Sequence, residues 1–346
     1  MVYDVRKKVS NFFKLNNPNN VAFTHNATFA LNLVLNSLIN TGDYVVTTSM
    51  EHNSVLRPLY FLETNKGIML NFVGINSCDY NLDIDKLFYL LKKDYGRKFL
   101  VLNHISNVTG VINDIYKISE FCKNNGIYLI IDGTQSAGII DIDFSKDCFE
   151  NVIYCFTSHK SLYSITGTGV ILVKGDFKFN QFISGGLGID TFNKSHNNLM
   201  PYVFEAGTLN FHSILFLGLA IDYINNIGIK NIESNLIEKI NYFEHNLKKI
   251  KNCKMYSNIN MNYKVNKAPI TSINIGELSS DIVAEILNDK FEIIVRSGYH
   301  CAPLIHDELL TKKQGTIRFS LSSFNTISEL DIALEAIEFI SKKIKP

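Results

Sequence analysis

Between residues 21 and 174, short apolar runs alternate with stretches whose apolar residues recur at helical spacing, and this alternation limits the possible folds more than any other feature. The runs 21–24, 44–48, 68–73, 98–103, 127–132, 152–156 and 169–173 are strand-sized, and most lack the polar alternation of a half-exposed sheet. Between them, 27–38 carries Leu31, Val34, Leu35 and Leu38 on one helical face, and 55–62 and 115–124 read as further helices. Asp83 is placed to cap another helix that runs through Leu91. Strands buried on both faces and joined through helices predict a mostly parallel sheet covered on both sides.

After a loop at 185–201 the pattern changes. Helical stretches at 215–224 and 232–247 precede a strand near 272–275, a helix from Asp281, and strands near 292–296 and at 316–320. A closing helix at 328–342 is opened by the capping pattern Thr326-x-x-Glu329. The expected organisation is a large α/β domain over 1–212 and a smaller C-terminal α+β domain over 213–346. With 46% apolar and 19% charged residues the chain reads as globular, and a net charge of +1 without a basic stripe argues against nucleic acid. No apolar run reaches membrane-spanning length, and the opening residues lack a signal-peptide core, so the expectation is a soluble cytoplasmic protein. The six cysteines include no C-x-x-C pair, which predicts reduced thiols and, despite His300 and His306 near Cys301, no zinc site. Gly185, Gly186 and Gly188 do not lead from a strand into a helix, so they are not a dinucleotide fingerprint.

In parallel sheets ligands bind beyond the carboxyl ends of the strands. Those ends carry Asn26-Ala27-Thr28, Glu51-His52-Asn53, His104 to Asn107, Asp132 to Gln135, and Thr157 to Lys160. A sheet with only a structural role has no need of so many polar groups at one edge. The residue types suit pyridoxal 5′-phosphate (PLP), which takes a lysine for a Schiff base, a carboxylate for its pyridine nitrogen and donors at a helix N-terminus for its phosphate. Lys160 and Asp132 follow separate apolar runs, 28 positions apart. Ala27 and Thr28 open a helix and offer phosphate donors, and His52 can stack on an aromatic ring.

The runs TSMEHNSVLRPL, HISNVTGVIND, IIDGTQSAG, FTSHKSLYSITGTG, FEAGTLN and VRSGYHCAPL together resemble the class V aminotransferase superfamily, closest to its cysteine desulfurases and selenocysteine lyases. The likeness runs from about Val21 to the end. It implies a PLP-dependent transferase of fold type I, with Lys160 as Schiff-base lysine, Asp132 at the pyridine nitrogen and His52 on the ring. It further implies that Asn107 and Gln135 bond the ring O3′, and that Thr28, Thr157 and His159 hold the phosphate. Thr208 would reach that phosphate from the partner chain of a homodimer. Arg318 would clamp the substrate carboxylate, Arg296 would shape the following loop, and Cys301 would accept sulfur, its thiolate favoured by His300 and Arg296.

The activity so implied is release of L-alanine from L-cysteine with a persulfide left on Cys301 and a sulfur-acceptor protein as onward partner. Selenocysteine lyase and class V aminotransferase activities are the neighbouring alternatives, and a non-catalytic scaffold or sulfur carrier is the alternative of a different kind. The sequence departs from the family at Phe29, where an acidic residue is common, at Ser164-Ile165, where Gly-Pro is frequent, and at Leu209, where many relatives have Pro. Family members usually begin with some tens of further residues that include a segment near the site; the expectation is either a more open site with a less firmly held cofactor or an incomplete chain.

Overall fold

Seven strands form the main sheet in the order β1-β7-β6-β5-β4-β2-β3. The computed structural model describes residues 1–189, 191–257 and 267–343; Asp190, within the loop expected at 185–201, lies outside them. The sheet strands are β1 (Val21–Thr24), β2 (Tyr44–Thr48), β3 (Met69–Val73), β4 (Lys98–Asn103), β5 (Tyr128–Asp132), β6 (Val152–Thr157) and β7 (Gly169–Lys174). β2, β3, β4, β5 and β6 pair in parallel, and β7 runs antiparallel to both its neighbours β1 and β6. The carboxyl ends of β1, β2, β4, β5 and β6 therefore share one edge of the sheet. β7 begins at that edge with Gly169, opposite both Thr24 and Thr157. A Cβ there would lie 2.4 Å from the Asn26 carbonyl carbon, so only glycine lets the turn after β1 cross so closely.

The connecting helices are α1 (Val2–Phe12), α2 (Ala27–Leu38), α3 (Asn53–Lys66), α4 (Ile84–Leu91) and α5 (Ile115–Asn124). Strand residues alternate between two apolar layers, as a pleated strand requires. Leu100, Leu102, Leu129, Ile131, Tyr154 and Phe156 belong to one layer, and Phe99, Val101, Ile130, Ile153 and Cys155 to the other. Each fully buried aliphatic side chain contributes roughly 1.5–3 kcal/mol. β3, at an edge, is half-exposed; β1, at the opposite edge, stays buried beneath α1 and the turn Tyr202–Phe204.

The rest of the chain forms α6 (Phe211–Ile227), α7 (Ile229–Leu247), β8 (Cys253–Met255), β9 (Ile270–Ile275), α8 (Ser280–Phe291), α9 (Ile305–Glu308), β10 (Ile317–Ser320) and α10 (Ile327–Lys343). β10, β9 and β8 make a second, antiparallel sheet whose core includes Phe243, Ile273, Val283, Phe319 and Ile337. Ile214, Leu217, Ile221 and Leu236, from α6 and the first half of α7, pack instead into the core of the large sheet. The capping box of α10 forms as expected, with Glu329 N–H donating to Thr326 Oγ1 at 3.2 Å and Thr326 N–H donating to Glu329 Oε2 at 2.6 Å.

The strand expected at 292–296 does not form. Glu292 takes a left-handed conformation (φ 55°) that ends α8, and Arg296 meets β10 only through an isolated bridge to Arg318. Alternating exposure along 292–296 imitates a strand pattern, yet the segment lacks a continuous ladder. Among the described residues no single helix is long and apolar enough to cross a membrane.

Candidate active site

A cleft of about 550 Å³ opens where the carboxyl ends of the strands meet. Its lining includes Ala27 and Thr28 after β1, His52 and Ser54 after β2, Asn107 after β4, Asp132, Thr134 and Gln135 at and after β5, and Thr157, His159 and Lys160 at the end of β6. Nine of the residues expected at the site from the sequence therefore share one space.

Lys160 opens onto the water of the cleft but is walled by protein, and this burial lowers its pKa; the Asp132 carboxylate opposes the shift, while Arg318 and Arg296 add to it. A lysine so placed gives up its proton more readily than a surface lysine and is correspondingly more nucleophilic. Asp132 is buried, and its Oδ1 accepts from Thr134 N–H at 2.9 Å. The Thr134 hydroxyl, which also lines the cleft, is buried without a partner among the described residues. At the other wall Asn26 caps α2 by accepting from Phe29 N–H at 2.9 Å. The amides of Ala27 and Thr28, which a helix leaves without intrahelical acceptors, border the cleft. Thr157 Oγ1 lies 2.8 Å from His159 Nδ1, so these two side chains are joined. Burial lowers the pKa of His159, with Lys160 adding to the effect.

His52 is the N-cap of α3. Ser54 N–H donates to its Nδ1 at 3.0 Å, and Ser54 Oγ lies 2.9 Å from the same atom. Nδ1 is thereby an acceptor, which places the ring proton of the neutral imidazole on Nε2. Burial lowers the His52 pKa, Asp132 opposes it, and the ring stays neutral.

The neighbouring Glu51 has a fully buried carboxyl whose Oε1 accepts from Thr48 Oγ1 at 2.6 Å and from Asn103 N–H at 3.0 Å. Burial pushes its pKa up to about 8, so it is mostly protonated at neutral pH. The sequence marks this acid only as a carboxylate at the end of an apolar strand; nothing there shows that it turns inward. Ser54 was likewise missed, because a helix-opening serine after a histidine has no distinctive signal.

Arg318, Arg296 and Cys301 come from the second part of the chain and are tied to the cleft wall. Arg318 Nη1 donates to the Asn107 carbonyl at 3.1 Å, and burial, with Arg296 nearby, lowers its pKa to about 10. Arg296 Nη2 donates to Cys301 Sγ at 3.5 Å. Asn107 Nδ2 donates to the His300 carbonyl at 2.8 Å, and Asn53 N–H donates to the Cys301 carbonyl at 2.7 Å. Cys301 is exposed.

His300 does not serve Cys301 as a charged neighbour, contrary to the expectation from the sequence. His300 and Cys301 both take left-handed backbone conformations (φ 50° and 58°), which turn the imidazole inward and leave the thiol outside. The imidazole lies 2.9 Å from Thr316 Oγ1, and burial lowers its pKa to about 3, so the ring is neutral. Each left-handed residue that is not glycine costs on the order of 1–3 kcal/mol, so the surrounding contacts must hold the loop. Thr208 lies outside the main cleft. It is exposed and lines an adjoining cleft with Thr24, His25 and Phe29.

A lysine amine of lowered pKa near a buried carboxylate, with a helix N-terminus at the other wall and two guanidinium groups nearby, defines an α/β enzyme site suited to a phosphorylated aromatic aldehyde and an anionic substrate. The model of the class V aminotransferase family matches residues 1–332, and the chain belongs to that family. It is 32% identical over 332 residues to the "Probable cysteine desulfurase" of Pyrococcus abyssi, a match spanning 94% of this chain and 80% of that one. It is 30% identical over 353 residues to the cysteine desulfurase of Wigglesworthia glossinidia brevipalpis, spanning 99% and 82%. The apo structure of the cysteine desulfurase from Thermococcus onnurineus NA1 superposes with a TM-score of 0.89 at 30% identity, covering 99% of this chain and 84% of that one. The fold is that of the fold-type I PLP enzymes, and the family implies PLP as cofactor. The residues present suit it: an amine for the aldehyde, a carboxylate for the ring nitrogen, an unpartnered hydroxyl, and first-turn amides for the phosphate.

Proposed function

We propose that this protein is a PLP-dependent cysteine desulfurase that converts L-cysteine to L-alanine and leaves the sulfur as a persulfide on Cys301. The observation that carries the reading is the joining of two chemistries in one place. Lys160, its pKa lowered by the surrounding protein, stands near Asp132 in the cleft, and the carbonyl of the exposed Cys301 accepts from the N–H of Asn53, between the cleft-lining residues His52 and Ser54. An aminotransferase has no use for a thiol held there.

PLP, when bound, supplies an electron sink for the bonds at the substrate's α- and β-carbons. Asp132 would hold the ring nitrogen, His52 would cover the ring face, and Gln135 and Asn107 would bond O3′. Thr28, the Ala27 amide, Thr157 and His159 would hold the phosphate. Arg318 would bind the substrate carboxylate, with Arg296 adding positive potential. A charge-assisted pair of this kind contributes roughly 1.5–3 kcal/mol. Lys160 Nζ, its pKa lowered by burial, would take and return the proton at the substrate Cα. Cys301 Sγ would attack the substrate sulfur; an S–S bond forms, the Cβ–S bond breaks, and the electron pair left on Cβ ends in a C–H bond of alanine. No external oxidant or reductant is consumed, and an acceptor protein would later collect the sulfur from the exposed thiol.

Thr208, exposed beside its own cleft, would serve the phosphate of a second copy in a homodimer. Selenocysteine is the near alternative substrate, since the same groups other than Cys301 would process it. The test is incubation of the PLP-loaded protein with L-cysteine and assay of alanine and sulfide. Equal release of the two in the presence of a reducing thiol is expected, and a protein that binds PLP but forms no alanine is not a desulfurase.

A further inference from the structure

The Cys301 loop reaches the large domain through backbone carbonyls, and one of its two donors belongs to no side chain. Asn53 is the first residue of α3, and its N–H is one of the amides that a helix leaves without an intrahelical acceptor. Here that amide donates to the Cys301 carbonyl at 2.7 Å. The next amide, of Ser54, donates to His52 Nδ1 at 3.0 Å. The first two amides of one helix therefore hold the ring of His52 and the peptide of Cys301 in fixed relation to each other. The consecutive left-handed residues His300 and Cys301 depend on such anchors, because their backbone does not prefer that shape.

We propose that the Asn53 backbone amide is a positioning group for the sulfur-transfer step: it sets where the Cys301 thiol stands relative to the cofactor cleft. The inference rests on the desulfurase reading and adds to it the element that places the nucleophile. It also assigns separate parts to the amide and side chain of one residue. The Asn53 N–H, and not its side chain, is the anchor of the Cys301 peptide, beside Asn107 Nδ2 on the His300 carbonyl.

Proline can separate the two. Asn53→Pro removes the N–H but suits the first position of a helix, and His52, at φ −73° and ψ 155°, already has the backbone that a residue before proline adopts. The proline Cδ would occupy space that the Cys301 carbonyl now fills at 2.7 Å from the nitrogen, so the loop must move outward. Asn53→Ala keeps the N–H and is the control. The PLP-loaded variants are compared in alanine release from L-cysteine, alanine release from L-selenocysteine, visible absorbance of the bound cofactor, and amide exchange over residues 299–304. Selenium leaves more readily than sulfur and does not wait for thiol attack, so selenocysteine reports the cleft without the loop.

Asn53→Pro is expected to lower kcat with cysteine by about tenfold or more, since misplacing a reacting group by ~1 Å costs on the order of a hundredfold. Its KM, cofactor absorbance and selenocysteine turnover should stay near wild type, its exchange at 299–304 should quicken, and Asn53→Ala should match wild type throughout. Wild-type turnover of cysteine by Asn53→Pro overturns the proposal, as does equal loss with both substrates or the same loss in Asn53→Ala. Should Asn53→Pro not fold, the wild-type protein still decides: the Asn53 amide must be protected from exchange, unlike an unpartnered first-turn amide, and rapid exchange there overturns the proposal. Because protection needs no turnover, a protein that protects Asn53 but forms no alanine would instead sink the desulfurase reading.

Discussion

Replacing Arg6 with methionine tests how α1 holds the segment that leads to Thr208. Arg6 and Glu205 are both buried and meet in a two-pronged pair, Nη1 to Oε1 at 2.7 Å and Nη2 to Oε2 at 2.9 Å. Arg6 also donates to the Val21 carbonyl and lies 4.8 Å from the centre of the Phe23 ring, and Phe23 N–H donates to Glu205 Oε1 at 2.7 Å. Arg6→Met leaves the carboxylate buried with only the Phe23 amide, a loss of roughly 3–5 kcal/mol for one partner of a buried pair. For 346 residues at about 2.1 cal/mol/K each, the unfolding entropy is roughly 0.7 kcal/mol/K, so the melting temperature should fall by roughly 4–7 °C. Calorimetry on the single and double variants is the assay. Arg6→Met with Glu205→Gln should recover much of the loss, because the second change removes the stranded charge and keeps an acceptor for Phe23 N–H. A double variant as unstable as the sum of the singles would refute the reasoning, since the damage would then lie in packing and not in an unpaired charge.

Lys160→Ala should abolish covalent attachment of PLP: borohydride reduction should fix the cofactor to Lys160 in wild type and to no lysine in the variant, checked by peptide mass. Glu51 gives a pH dependence of definite sign. Its folded pKa of about 8 lies above the ordinary 4.5, so its contribution to stability is fully present below about 4.5 and is lost as pH rises through about 8. Wild-type stability should decline across that interval by on the order of a few kcal/mol, and Glu51→Gln should flatten the decline in denaturant melts taken at several pH values. For assembly, sedimentation should find a two-fold dimer, with Thr208→Ala weakening PLP retention and leaving the dimer intact; a fully active monomer would remove the role of Thr208.

The main sheet was legible because its strands are buried on both faces, so the apolar runs stand out from the helical spacing between them. β6 and β7 were found to within a residue of their ends for that reason. The second part of the chain was harder to read. β8 is three residues long and α9 four, too short for either to establish a period. At 292–296, alternation described exposure along an extended segment and not pairing, so a strand was expected where only the Arg296–Arg318 bridge exists. In the site, residue types at the strand ends identified Lys160, Asp132, His52 and Thr28, which the structure brings into one cleft. Backbone geometry remained hidden. The left-handed pair His300–Cys301 sends the imidazole to Thr316, and the anchors at Asn53 and Ser54 are main-chain amides that no residue type announces.

The central claim concerns where the sulfur goes. PLP-loaded protein should be mixed with L-cysteine in the absence of any reducing thiol, quenched within the first turnover, and digested for mass analysis of the cysteine-bearing peptides. The account predicts one added sulfur atom on the peptide containing Cys301, none on those containing Cys78 or Cys148, and alanine equal in amount to the modified peptide. Cys301→Ala should give neither product while still binding PLP. Alanine formed at the wild-type rate by Cys301→Ala, or an unmodified Cys301 after alanine has appeared, would contradict the account.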